Sequence, residues 1–301
     1  IAGLAVYKIL RLRFATGLIS WLGFLGLLFL PSVLIEGCYW GQCDIIYTSF
    51  LVFALFNIFR QKYFPAIIFF SIALAFKLQA LLLAPVLVLL FLRRRISIFY
   101  FFIIPVVILA TWIPALLAGR PVLSLLNIYI AQYDTYHSLS MNAPGLMAFA
   151  NLLDEQYYSF FVWSGFIITA VCALLYLWVR CTKHRSLSPG ALCFDAAFFA
   201  VILPFLLPKM HERYFFPGAV FLFILLFFNW DVLVPALILQ VSCLFSSLVF
   251  LAAGTQYWVL LGAILNLLAI ILLLDRLPDV VNEDHENNQP HFLERFMVDR
   301  S

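Results

Sequence analysis

Lys77 is the only charged residue between Phe64 and Leu92, in a stretch that is otherwise almost wholly apolar. As one helix these residues would run about 43 Å at 1.5 Å per residue, too long for a hydrocarbon core of about 30 Å. Divided at Lys77-Leu78-Gln79, they become two halves of about 20 Å each, too short to cross. The rest of the chain fixes the membrane setting. It is 65% hydrophobic and 11% charged, with a mean hydropathy of +1.05, where a soluble domain has about 45–50% and about 25%. No water-soluble architecture hides that much apolar surface, which excludes a nucleic-acid-binding protein and a cytosolic enzyme. The net charge of +3 carries no information about partners.

Further spans are expected at 18–35, 44–59, 97–118, 160–179, 191–208, 213–229, 231–253 and 255–274. With the halves of 64–92, this predicts an all-α polytopic membrane protein of about ten transmembrane or half-membrane helices. The basic residues decide how 64–92 is arranged, because Lys and Arg collect on the cytoplasmic side. If 64–92 is a hairpin, then Lys8, Arg11, Arg13, Arg60, Lys62, Arg93, Arg94, Arg95, Arg180, Lys183, Arg185, Arg276, Arg295 and Arg300 share one face. Only Lys77, Arg120, Lys209 and Arg213 lie on the other. A single long helix would make the division nearly even. The hairpin places Lys77 and Gln79 at a break part-way into the bilayer, reached from the non-cytoplasmic side. Backbone broken at that depth needs protein or a watery cavity around it.

The chain opens Ile1-Ala2-Gly3-Leu4-Ala5-Val6-Tyr7-Lys8, which reads as the last turns of a helix entering the cytoplasm, so earlier helices are expected upstream. Residues 1–277 read as the membrane domain. From 278 to 301 the composition turns to Pro, Asn, Glu, Asp and His, as in a disordered cytoplasmic tail. Six cysteines lack metal-ligand spacing. Cys38 and Cys43 flank one external turn and could pair under oxidising conditions, although two thiols beside a helix end are the plainer expectation.

Polar chemistry collects outside. Glu36, Asp44, Asp134, Asp154, Glu155 and Glu212 fall on the external face with Lys77, Gln79, Gln132, His137, Asn142, His211 and Arg213. The densest cluster is Pro208-Lys209-Met210-His211-Glu212-Arg213-Tyr214. A helix starting at Pro208 and running to 229 would point its positive end at the cavity, beside Lys209, His211 and Arg213, a set suited to a phosphate. Glu212 could orient Arg213 or His211, or ligate a divalent metal. The plainer alternative is a loop of snorkelling basic residues with Tyr214 at the interface. Asp44 stands where an external turn enters a helix. N-capping is its simplest role, and taking a proton from an attacking hydroxyl is the catalytic one. Lys77 either pairs with an external carboxylate or holds an anionic substrate. The loop 119–159 is long enough to be functional, either capping the cavity or laying amphipathic helices on the membrane surface.

Taken together, Trp40-Gly41-Gln42-Cys43-Asp44 with Tyr47, Lys77-Leu78-Gln79, Asn142-Ala143-Pro144-Gly145 and His211-Glu212-Arg213-Tyr214 resemble the GT-C class of membrane glycosyltransferases. The likeness is closest to bacterial enzymes related to the mannosyltransferases of GPI-anchor synthesis. It implies a polyprenyl-phosphate sugar donor, a glycan, lipid or protein acceptor, inverting transfer, and an active site facing outward from a bacterial inner membrane. It also implies that His211 and Arg213, with Lys77 and Lys209, hold the leaving phosphate. Gln79, Asn142, Glu212 and Tyr214 would then be supporting residues. Asp44 is a substitute for the base, which such enzymes usually carry after their first helix and which here would precede Ile1. Relatives often have Pro where Gln79 stands. The resemblance fixes no cofactor and leaves a divalent metal open. A transporter or flippase for lipid-linked or anionic substrates would also have a broken helix and a lysine at depth. A non-catalytic membrane subunit is the third class.

Overall fold

The computed structural model describes residues 1–134, 137–182, 185–252 and 254–281. The helices are α1 (Ala2–Arg13), α2 (Gly17–Leu28), α3 (Asp44–Phe59), α4 (Tyr63–Phe76), α5 (Ala84–Leu92), α6 (Ile103–Leu117) and α7 (Val122–Asp134). They continue with α8 (Met147–Ala150), α9 (Tyr158–Cys181), α10 (Pro189–Leu206), α11 (Phe216–Leu226), α12 (Leu233–Leu251) and α13 (Gln256–Val281). A π-helix spans Val33–Tyr39, and two short strands, β1 (Ser140–Met141) and β2 (Met210–His211), pair in parallel.

Among the described residues, five helices are long and apolar enough to cross a membrane: Ile98–Leu117, Glu155–Cys181, Pro189–Leu206, Trp230–Leu251 and Gln256–Val280. A sixth arises if Gly17–Leu28 and Val33–Tyr39, bent by 59° to each other, count as one span. The protein is a multi-pass, all-α membrane protein. The count is below the roughly ten expected from apolar runs. The runs at 44–59 and 213–229 yield helices of only 16 and 11 residues; the second opens in a 3-10 turn that ends at Phe215. Pro278 lies inside α13, which continues to Val281, so residues 278–281 are helix rather than tail. The remainder of the expected tail, 282–301, lies outside the described residues.

Burial orders the helices. The span window of α10 is 83% buried and that of α6 is 0% buried, so α10 is the central post and α6 stands at the periphery, facing lipid. A helix apolar on every side can occupy such a centre. Ser188 caps α10, its Oγ accepting the Ala191 N–H at 3.2 Å, and Pro189 follows at the first turn. α11 lies directly against it. A Cβ at Gly218 would sit 2.9 Å from Val201 Cγ2 and 3.0 Å from Ala200 O, a separation that only glycine permits.

The two ends of α10 meet different chemistry. At its start, Arg180 of α9 is fully buried, its Nε and Nη2 donating to Asp195 Oδ1 and Oδ2 at 2.7 and 2.8 Å. Tyr176 Oη donates to the same carboxylate at 2.7 Å, and Arg180 Nη2 also donates to Ser186 O. Arg93, just past α5, donates to Arg180 O and Arg185 O. The segment 63–92 begins and ends here, since Tyr63, Leu90 and Arg95 line one cavity with Ser188 and Pro189. The backbone turns at Lys77, which is extended (φ −159°, ψ 131°), before a 3-10 stretch over Leu78–Leu83 leads into α5. The segment therefore leaves and returns on one face with Lys77 at its far point. That far point lies with the other end of α10, some 27 Å away at 1.5 Å per residue.

Candidate functional site

Three separate parts of the chain meet beyond the end of α10. Asp44 is the first residue of α3. It caps nothing: Cys43 is the cap position and no side chain bonds the helix N-terminus. Its carboxylate instead crosses to Lys77, whose Nζ donates to Asp44 Oδ1 at 2.7 Å. Arg213 approaches the other oxygen, with Nε 3.6 Å from Oδ2. Asp44 is fully buried, whereas the Lys77 and Arg213 side chains keep 16% and 21% exposure. The carboxylate is the enclosed anchor and the two cations form its open edge.

The cations are framed by rings. Lys77 Nζ lies 5.6 Å from the Tyr47 ring centre and 5.4 Å from that of Tyr214. The Arg213 guanidinium lies 5.7 Å from the Trp40 ring, which itself stacks on Phe250 of α12 at 4.6 Å. Cation–π contacts of this kind hold a charge in place where water is scarce. Glu212 splits its carboxylate, with Oε1 accepting from Arg213 Nη1 at 3.1 Å and Oε2 lying 3.8 Å from His211 Nδ1. His211 meets Tyr214 edge-on at 5.3 Å.

The helix expected from Pro208 does not start there. Lys209 adopts φ +59°, β2 follows at Met210–His211, and a 3-10 turn over Glu212–Phe215 leads into α11. Pairing with β1 explains the difference. Lys209 N–H donates to Leu139 O at 2.8 Å, Met141 is in register with His211, and Asn142 (φ +56°) bridges to His211. The long loop is thereby tied to the cationic motif. Its Asn142-Ala143-Pro144-Gly145 segment is pinned from both sides. Leu146 N–H donates to Phe205 O at 2.7 Å and Asn266 Nδ2 donates to Pro144 O at 2.8 Å. Helices do occur in the loop, at Val122–Asp134 and Met147–Ala150.

The structure thus brings together Asp44, Lys77, His211, Glu212, Arg213 and Tyr214, with Asn142 joined through its backbone. Lys209 is turned elsewhere, its Nζ 6.0 Å from the Tyr158 ring at the start of α9. Gln79 sits on the 3-10 stretch after Lys77, where its side chain has no hydrogen bond among the described residues. Cys38 and Cys43 are free, exposed thiols. No group of three His, Cys, Asp or Glu side chains among the described residues is arranged to hold a metal ion, and Glu212 is engaged by Arg213 instead.

Glu36 is the member that residue-by-residue reading left out of the site. It lies on the π-helix, 1% exposed, and neither carboxylate oxygen has a hydrogen-bond partner among the described residues. Its charge interacts with Asp44, Glu212, Lys77 and Arg213. Three carboxylates therefore gather around Lys77 and Arg213. The only sequence signal was an acid eight residues before Asp44, which reads equally well as an interfacial side chain.

No family model matches this sequence, and no curated protein matches it significantly.

Proposed function

We propose that this chain is a GT-C-like membrane glycosyltransferase. It moves a hexose of the mannose type from a polyprenyl-phosphate donor to an acceptor hydroxyl at the non-cytoplasmic face of a bacterial inner membrane. The observation that carries this reading is the convergence of Lys77 and Arg213, 136 positions apart, on the two oxygens of Asp44, with His211 beside them.

Transfer of a sugar from a lipid phosphate puts growing negative charge on phosphate oxygens as the C1–O bond breaks. Cations fixed in advance, in a pocket poor in water, stabilise that charge without reorganising. Lys77 gives one of its three N–H donors to Asp44, leaving two for a phosphate. Arg213 gives Nη1 to Glu212, and its Nη2 remains for an oxygen. Asp44 and Glu212 are positioning residues in this scheme, holding the cations where the leaving group must arrive. The acceptor hydroxyl gives its proton to a carboxylate of the same pocket. Of the three carboxylates there, Asp44 and Glu212 are engaged by the cations, which leaves Glu36, with neither oxygen hydrogen bonded among the described residues, as the base; comparing E36Q with D44N tests that assignment.

The test is transfer by the reconstituted full chain from a synthetic polyprenyl-phosphate mannose, with H211A and R213A compared at matched folding. The reading expects both to lose activity by at least about a hundredfold, as on removal of a transition-state donor. Wild-type rates in both would reject it. A transporter is the second reading, favoured by the buried carboxylates and the half-buried Lys77 beside a broken helix. Uptake of labelled substrate into vesicles without a new glycosidic bond would select it.

A further inference from the structure

Far from the cationic cluster, at the start of α10, a cavity of about 170 Å³ opens between three turns. Its polar rim is Arg95, Gln61, Tyr63 and Ser188, and its apolar wall includes Ile58 and Leu90. Arg95 has no carboxylate within ion-pairing distance among the described residues. None of the contributing stretches, 58–63, 90–95 and 187–192, contains an acid. The nearest one along the chain, Asp195, is closed off by Arg180 and Tyr176. The same stretches add Arg60, Lys62, Arg93 and Arg94, so together they carry five cations and no acid.

The first turn of α10, an 18-residue helix, supplies one wall, adding its positive dipole end to Arg95. The rim also holds a phenol hydroxyl and an amide, both able to hydrogen-bond a phosphate diester. A cavity of this size, polar at its rim, suits an anionic headgroup whose hydrocarbon lies outside it. Basic pockets between transmembrane helices on the cytoplasmic side receive lipid headgroups in this way. The rim is built by residues on the face where basic side chains collect, which is the headgroup level of a membrane.

We propose that this cavity binds the phosphate of an anionic glycerophospholipid, Arg95 taking the phosphate oxygens while the acyl chains stay in the bilayer beside the protein. The site stands apart from the proposed transfer chemistry and does not depend on it.

The experiment uses the full chain in nanodiscs of dioleoylphosphatidylcholine containing one-tenth dioleoylphosphatidylglycerol, with bound lipid counted by native mass spectrometry. The wild type is expected to retain phosphatidylglycerol in preference to phosphatidylcholine. R95Q is expected to lower that affinity about tenfold or more, as for loss of a charge-assisted bond. R60Q removes a cation of the same face outside the cavity lining, and is expected to cost less than about fivefold. Should R95Q fail to fold, Q61E places a negative charge on the rim and is expected to weaken the lipid by a similar factor. Equal losses in R95Q and R60Q would mean diffuse attraction and would overturn the site. So would a wild type that holds both lipids alike. If soluble glycerol 3-phosphate raises the melting temperature as much as the lipid does, the ligand is a free phosphate ester and the lipid assignment falls.

Discussion

Lys77 and Asp44 stand 33 positions apart and meet at 2.7 Å with the carboxylate wholly enclosed. The contact joins the tip of the 63–92 segment to the first turn of α3. Removing one partner leaves the other charge without compensation, which for an enclosed pair costs about 3–5 kcal/mol. Residual exposure of Lys77 and the second cation, Arg213, bring the expectation for D44N to the lower part of that range. K77M is expected to cost a similar amount, and the double variant D44N/K77M less than the sum of the two. Melting curves of the four proteins in one detergent form the cycle. Additive losses would show that the pair is not coupled.

Arg180 and Asp195 form a second buried pair, 15 positions apart, whose role is to lock α9 to the start of α10. Every oxygen of Asp195 is engaged, one of them twice. D195N is expected to destabilise by about 3–5 kcal/mol, and Y176F by about 1 kcal/mol for one lost hydrogen bond. The Y176F protein should keep transfer activity once folded, because the lock lies at the opposite end of α10 from Lys77. A matched loss of transfer in folded Y176F would place the lock in the site's own machinery.

Much of this arrangement was legible in the residues, and what was not has a physical cause. A lone charge in the 29-residue stretch 64–92 marks a break because an unpaired cation cannot be left in hydrocarbon, and the break falls at Lys77. Arg93, Arg95 and Arg180 do come together at the start of α10. The start of α11 was misread because Pro208 signals a first turn equally well whether or not a helix follows. The two-residue pairing of Ser140–Met141 with Met210–His211 has no periodicity to detect, so it pre-empts that helix without warning. Glu36 was missed for a related reason: a short-range reading places it beside Asp44 in sequence but says nothing of Lys77 and Arg213 closing over the same pocket. Pro278 reads as a stop, yet α13 continues to Val281, since packing can override the local cost of proline. Apolar runs, finally, overstate the number of spans. They measure how much of the chain avoids water and not how often its backbone turns within the membrane.

Glu36 carries a prediction of its own. An enclosed carboxylate with neither oxygen hydrogen bonded, facing Asp44 and Glu212, is unfavourable as it stands. E36Q keeps the shape and removes the like-charge repulsion, so it is expected to stabilise the fold by about 1 kcal/mol. If Glu36 accepts the acceptor's proton, the same variant loses transfer while melting higher. Stability and activity moving in opposite directions is the signature. A lower melting temperature for E36Q would mean that the carboxylate has a partner it needs.

Two turns at the basic face use left-handed backbone without glycine. Gln61 (φ +57°) follows α3, where Lys62 N–H donates to Asn57 O and Gln61 N–H to Ile58 O. Arg94 (φ +56°) repeats the pattern after α5, with Arg95 N–H to Leu90 O and Arg94 N–H to Phe91 O. Both are Schellman closures, in which glycine is the favoured residue at the left-handed position. A side chain there costs about 1–2 kcal/mol, so Q61G and R94G are each expected to raise stability by about 1 kcal/mol. Gly119 (φ +85°) closes α6 in the same way, and a Cβ there would meet nothing within 4 Å. G119A therefore isolates the backbone term and is expected to lose about 1 kcal/mol. Thermal melts of the three variants decide it, and a destabilised Q61G or R94G would mean that the side chains themselves hold those turns.

Gly145 tests whether the long loop and the cationic motif act together. A Cβ at this position would lie 2.8 Å from Phe205 O and 3.1 Å from Pro204 O. Both are backbone atoms at the end of α10 and cannot swing aside. The next residue, Leu146, donates its N–H to that same Phe205 oxygen. G145A must therefore lift the loop from α10, stretching this bond and the one from Asn266 to Pro144 O. The loop is continuous with Asn142, which bridges to His211, so the displacement reaches the histidine. The expected outcome is a loss of about 1–3 kcal/mol from overpacking, together with a fall in transfer larger than that of a control such as G119A with similar loss of stability. Accessibility of His211 to diethyl pyrocarbonate gives a readout that does not depend on activity, and it should rise in G145A but not in G119A. Equal reactivity in the two would mean that the loop and the motif are positioned separately, whatever the stability change.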